Sequence, residues 1–110
     1  MMVALRVGKR IFNAEAATTL LERARGLMLS KRKNILFFFE YEGAIGIHSF
    51  FVFFPFDAVY LDGGKRVVEV VKNIRPFTFY VRNTKPAKYL LEMCEEHSIK
   101  RGDTLEWEHV

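Results

Sequence analysis

Arg23, His48, Asp57 and Glu92 are the side chains of this chain most able to do chemistry from inside a core. His48, Ser49 and Asp57 fall within residues 47–62, IHSFFVFFPFDAVYLD, where six aromatic and five aliphatic side chains surround one His, one Ser, one Pro and two Asp. A run so apolar is buried, and each polar group inside it must be hydrogen-bonded or used. Glu92 stands between Leu91 and Met93 in the same situation. If the four converge, they form a cleft with both signs of charge, suited to a small polar ligand such as a sugar or an amino acid. Two carboxylates at the right spacing, with His48, would also suit acid–base hydrolysis.

Each residue has a plainer reading. On a straight strand His48 would alternate with Phe50 and Val52, and Ser49 with Ile47, Phe51 and Phe53. Adjacent His and Ser then diverge and form no nucleophile–base pair. A lone histidine beside a core is more often a hydrogen-bonded structural residue than a catalyst. Asp57 shares a face with Val59 and Leu61, so its carboxylate needs a partner. Arg23 and His48 are the two bases the pattern offers, and the expectation is a buried Asp57–Arg23 ion pair of architectural purpose. His48 is then the better ligand contact. The reading is a binding module for an unknown small polar ligand. The alternatives are a hydrolase using His48 with Asp57 or Glu92, and a protein- or RNA-contact module using Lys31, Arg32 and Lys33.

Other chemistries find no support in the residue pattern. The three histidines, His48, His97 and His109, lack the short spacings of zinc sites, and Cys94 is the single cysteine, so neither a metal nor a disulfide is expected. No phosphate-binding glycine loop or RNA-recognition aromatic motif is present, and no cofactor is expected. The phenylalanines of residues 37–56 read as core filling.

The elements that must hold these residues follow from periodicity. Residues 2–7 and 9–14 read as strands broken at Gly8-Lys9. Leu20, Leu21, Ala24, Leu27 and Met28 recur at helical spacing, Thr19 with Glu22 makes a capping box, and Gly26 can end the turn, which predicts one short helix near 19–28. Residues 35–39 read as a strand and 40–46 as a loop. A strand over 47–53 must stop at Pro55. Residues 56–61 and 66–72 are joined by Asp62-Gly63-Gly64-Lys65, a hairpin expected to place a glycine at positive φ. A short strand lies within 73–85, another over 89–93, and 94–98 suits one helical turn. Residues 104–108 alternate, with Leu105 and Trp107 inward and Glu106 and Glu108 outward. Many short strands with frequent turns indicate a mainly β, antiparallel sandwich or barrel in a single domain, 1–110.

The net charge of +4 is banded: +6 over 1–33, −4 over 34–62, +6 over 63–91 and −4 over 92–110. The bands read as solvated, mutually neutralising faces, so nucleic acid is not an expected partner. The apolar run of 47–62 is too short and interrupted to span a bilayer, and no membrane partner is expected. Arg6, Lys9 and Arg10 interrupt the N-terminus before a secretory apolar region is complete, which points to the cytoplasm. The absence of Gln beside abundant Lys, Arg and Glu suggests a heat-loving source.

Successive blocks of the chain carry a resemblance. RARGLM at 23–28, ILFFFE at 35–40, IHSF at 47–50 and FPFD at 54–57 leading to Leu61-Asp62 stand in one order, followed by Leu91-Glu92 and Gly102-Asp103. As a set, over about residues 10–108, they resemble the signature blocks of the family known as domain of unknown function 192. The resemblance implies a compact, mainly antiparallel β fold of jelly-roll type with one short helix, and it carries no established activity. Val52 and Phe53 replace a Met and a polar or basic residue of the family pattern, and Cys94-Glu95 replaces a small residue and Gly. A polar pocket of the relatives is therefore expected to be partly filled in this chain. Many relatives carry export signals, and this chain shows none.

Overall fold

The structure is a computed structural model that describes residues 1–110. Its β-branched and aromatic residues sit in nine strands: β1 Met2–Val7, β2 Arg10–Ala17, β3 Ile35–Gly43, β4 Gly46–Ile47, β5 Phe56–Leu61, β6 Val67–Ile74, β7 Val81–Arg82, β8 Ala87–Met93 and β9 Glu106–His109. The helix α1, Leu20–Arg25, makes the crossover between β2 and β3, which pair in parallel; every other neighbouring pair is antiparallel. Seven strands form one sheet in the order β6-β5-β8-β3-β2-β1-β9, and β4 and β7 form a second. The large sheet curls until its ends meet. Arg66 bridges Thr104, the Val67 amide donates to the Asp103 carbonyl at 2.8 Å, and the Leu105 amide donates to that of Lys65 at 2.9 Å. The curl tames both edges at one end of the sheet. The fold is mainly β and barrel-like with one short helix, as expected.

Side-chain alternation splits the apolar residues into two cores. Leu5, Leu36, Val59, Leu91, Met93 and Leu105 come from strands at both ends of the sheet and fill its concave side. Ile35, Phe37, Ala58, Tyr60 and Leu90 face the other way and are covered by Leu27, Ile45 and Val52.

Several local expectations need correction. The capping box forms, with the Glu22 amide donating to Thr19 Oγ1 at 3.1 Å, and Gly26 ends the helix at φ 50. The predicted apolar stripe, however, does not pack. Leu20 and Leu21 are 77% and 80% exposed, and the buried Leu27 lies beyond the helix. The strand predicted over 47–53 ends at Ile47. There the buried Ser49 hydroxyl donates to the Arg75 carbonyl and accepts from the Thr78 amide at 2.7 Å, and this loop-to-loop bonding replaces a ladder. The loop predicted at 40–46 instead extends β3 to Gly43, and the segment 94–98 makes no helical turn.

The 62–65 hairpin exists, but Lys65 takes the positive φ (66°). Asp62 Oδ1 accepts from both the Gly64 and Arg66 amides, and so sets the turn without a left-handed glycine. Leu105, just before β9, is buried, and in β9 Glu106 and Glu108 are exposed, while Trp107 is only half-buried, edge-on to Phe38 and Tyr89.

Candidate functional site

The β3-β8-β5 register decides where the two suspect carboxylates go. Glu92 pairs across to Ile35 on one side and Ala58 on the other, so it shares their face. Asp57 pairs with Met93 and lies on the opposite, concave side. Over Glu92 the helix α1, its following turn and the β4–Val52 segment leave a cavity of 430 Å³. Arg23, His48 and Glu92 line it together with Leu27, Phe37, Phe39, Ile47, Val52, Phe56 and Leu90. Three of the four residues singled out in the sequence therefore share one pocket, and Asp57 does not.

Glu92 is 4% exposed, and burial pushes its carboxyl up to about 8, with no hydrogen bond or cation to oppose the shift. No fully enclosed side-chain oxygen in the chain lacks a partner, so the unbonded Glu92 carboxyl opens onto the cavity it lines. At neutral pH it is mostly a carboxylic acid, able to donate as well as accept. Gly26 permits the close cover: a Cβ there would lie 3.3 Å from the Phe37 ring and 3.7 Å from Glu92 Oε1, and its φ of 50° disfavours a side chain.

Two further groups frame the mouth. Arg23 Nη1 donates to the Phe38 carbonyl at 2.9 Å and to that of Thr18 at 3.2 Å, with the guanidinium 5.2 Å from the Phe39 ring centre. These bonds fix the side chain while its Nε and Nη2 hydrogens stay available. His48 Nδ1 accepts from the Phe50 amide at 3.1 Å, which leaves the ring proton on Nε2. The exposed ring is thus an oriented donor.

The expected Asp57–Arg23 pair does not form. Asp57 Oδ2 lies 2.8 Å from His97 Nε2, and Oδ1 accepts from the Asn73 amide at 2.8 Å. The Ile99 amide donates to His97 Nδ1 at 3.0 Å, so the imidazole proton sits on Nε2 and is given to Asp57. With the His97 side chain 2% exposed, the unit clasps the 97–99 segment to the β5–β6 pair. Sequence reasoning missed His97 because it took 94–98 for a helical turn. Asn73, at φ 55, gave one usable signal: Asn is among the few residues that tolerate a left-handed position at a bulge.

A larger recess of 670 Å³ opens by Lys72, Lys85, Lys100 and Arg101. It is shallow, its Glu69 is bonded to Thr84, and its His97 is committed to Asp57. No group of three or more His, Cys, Asp or Glu side chains stands together as metal ligands would.

This barrel with a carboxyl-floored pocket has relatives. The family described as Uncharacterized ACR, the domain-of-unknown-function-192 family, matches residues 3–107, and the chain belongs to it. The UPF0127 protein of Pyrococcus abyssi is 35% identical over 84% of this chain and 84% of its own length. The UPF0127 protein of Thermococcus sibiricus is 34% identical over 84% of this chain but 64% of its own length. These relatives come from thermophilic archaea, in keeping with the composition. Among solved structures, a provisionally assigned transcription regulator of Sinorhizobium meliloti superposes with a TM-score of 0.82 at 20% identity, covering 96% of this chain and 92% of that one. A protein of unknown function from Novosphingobium aromaticivorans superposes with a TM-score of 0.81 at 21% identity, covering 96% and 84%. Both likenesses establish the fold.

Proposed function

We propose that this protein is a binding module, and that its pocket takes a small molecule with an apolar body, an anionic group at the mouth and an oxygen at the floor. The observation that carries this reading is Glu92: a carboxyl almost wholly removed from water, without a protein partner, opening onto a cavity. An unpaired buried polar group is destabilising and persists where it serves a ligand. The apolar walls supply area for affinity, and the few polar groups set orientation. The free hydrogens of Arg23 and the Nε2–H of His48 suit a carboxylate or phosphate. The protonated Glu92 suits a hydroxyl or carbonyl.

Two-carboxylate hydrolysis loses support, because Asp57 and Glu92 project from opposite faces of the sheet. The contact-module alternative also weakens. Arg32 donates to the Cys94 carbonyl and Lys33 pairs with Glu15 at 3.0 Å, which leaves Lys31 as the one uncommitted base of that loop. A lone free thiol supports a cytoplasmic setting as part of the same proposal. No helix is long and apolar enough to cross a membrane.

Thermal-shift screening of small hydroxy and keto acids and organic phosphates, repeated on His48→Ala and Glu92→Leu, tests the reading. A hit should raise the melting temperature of the wild type and lose most of its effect in both variants. An unchanged response in Glu92→Leu, or no hit among the acids, would overturn it.

A further inference from the structure

Beside the pocket mouth, three loops form a platform that gains nothing from burial. The Leu29 amide donates to the Phe51 carbonyl at 2.8 Å and the Phe77 amide to that of Ser49 at 2.9 Å, which ties residues 27–30, 49–53 and 75–79 together. Leu29, Phe51, Phe53, Phe77 and Phe79 project from them, between 48% and 81% exposed. The Phe77 ring lies 6.3 Å from that of Phe51 and 5.8 Å from that of Phe53, centre to centre. Leu29, Phe51 and Phe77 all hold positive φ, at 53°, 59° and 61°. Gly or Asn would take those angles readily, while bulky apolar residues do so under strain. The chain thus tolerates strain at three touching positions to point large apolar side chains into water.

The charge carried by the platform's own segments has one sign. Segments 25–32, 44–56 and 74–82 contain Arg25, Lys31, Arg32, Arg75 and Arg82 and not one Asp or Glu. All five are exposed, and only Arg32 is engaged, at the Cys94 carbonyl.

We propose that this platform docks on an anionic lipid membrane. Its rings enter the boundary between headgroups and acyl chains, and the basic rim meets the lipid phosphates. Leu29, Phe51, Phe53, Phe77 and Phe79 line neither the cavity nor the basic recess, so neither would seat a peptide against them. A second copy of the chain across a two-fold axis would bring basic rim against basic rim. The absence of a membrane partner was expected because the apolar run is too short to span a bilayer; surface docking needs no span. The inference is independent of what the pocket holds.

Co-sedimentation of the full chain with vesicles tests it, using phosphatidylcholine alone and phosphatidylcholine mixed equally with phosphatidylglycerol. The chain should pellet with the anionic vesicles, stay in solution with the neutral ones, and be released as salt rises. The triple variant Phe51→Ser, Phe53→Ser, Phe77→Ser should lower partitioning by about tenfold or more. Lys31→Glu with Arg75→Glu should lower it by at least roughly fivefold for each basic residue lost. That pair touches no apolar packing and decides the matter if the triple variant fails to fold. Wild type left in solution with anionic vesicles would overturn the proposal, as would equal binding to neutral ones or charge reversal without effect. A wild-type dimer in sedimentation velocity that the triple variant dissolves would assign the platform to a second copy, and would also overturn it.

Discussion

Asp57 and Glu92 sit on adjacent strands, one residue apart in register, and have opposite fates. Asp57 faces the concave side at a strand end, where both its oxygens find donors, His97 and the Asn73 amide. Glu92, equally near a strand end, faces the other side, with no donor in reach and a cavity above it. One carboxylate is consumed by the architecture, and the other is left without a protein partner. A carboxyl between apolar neighbours in sequence therefore says nothing about role until the parity of its strand is known.

The largest effect that would sharpen this contrast is the pH dependence of stability. Relative to Glu92→Gln, the wild type should be most stable at acid pH, below the ordinary carboxyl value of 4.5. It should then lose stability progressively as pH rises to the folded value of about 8, and change little above that. The sign follows because the folded state holds the proton that the unfolded chain releases. The full span is up to about 5 kcal/mol, read from urea midpoints of both proteins between pH 4 and 9. Parallel curves for the two proteins would show that Glu92 is hydrated and the contrast false.

Asp57→Ala comes next. It removes the acceptor of a buried imidazole N–H and of a backbone amide, and should destabilise by about 2–4 kcal/mol while ligand binding by the remaining protein is retained. A stable Asp57→Ala that no longer binds would reverse the two assignments. Ser49→Ala should cost about 1–2 kcal/mol, because the Arg75 carbonyl and Thr78 amide lose their link. Hydrogen exchange should then speed up in 75–79 more than elsewhere. The smallest effect belongs to His48→Ala, with its exposed ring: a change in stability within about 0.5 kcal/mol, against a marked loss of binding to any hit from the acid screen.

Much of the fold was legible because local rules governed it. Thr19 and Glu22 cap α1, Gly26 ends it, and the alternation over 105–108 puts Leu105 in and Glu106 and Glu108 out, with Trp107 only half-buried. Where local and tertiary forces competed, the reading failed. The 47–53 run has every strand propensity, yet the buried Ser49 hydroxyl bonds a loop from 26 residues away and bends the chain at Phe51. Leu20 and Leu21 have helical spacing but no element to pack against.

For the site, residue types alone marked Arg23, His48 and Glu92, because charged groups among apolar neighbours require an explanation. The sequence also determined the family, the mainly β class and the absence of a disulfide framework. Only the tertiary structure decided that Asp57 meets His97 rather than Arg23, that Glu92 has no partner, and that three strained loops display their rings together. Partners 40 residues apart in the chain are chosen by strand order and register, and those are properties of the whole sheet rather than of any segment within it.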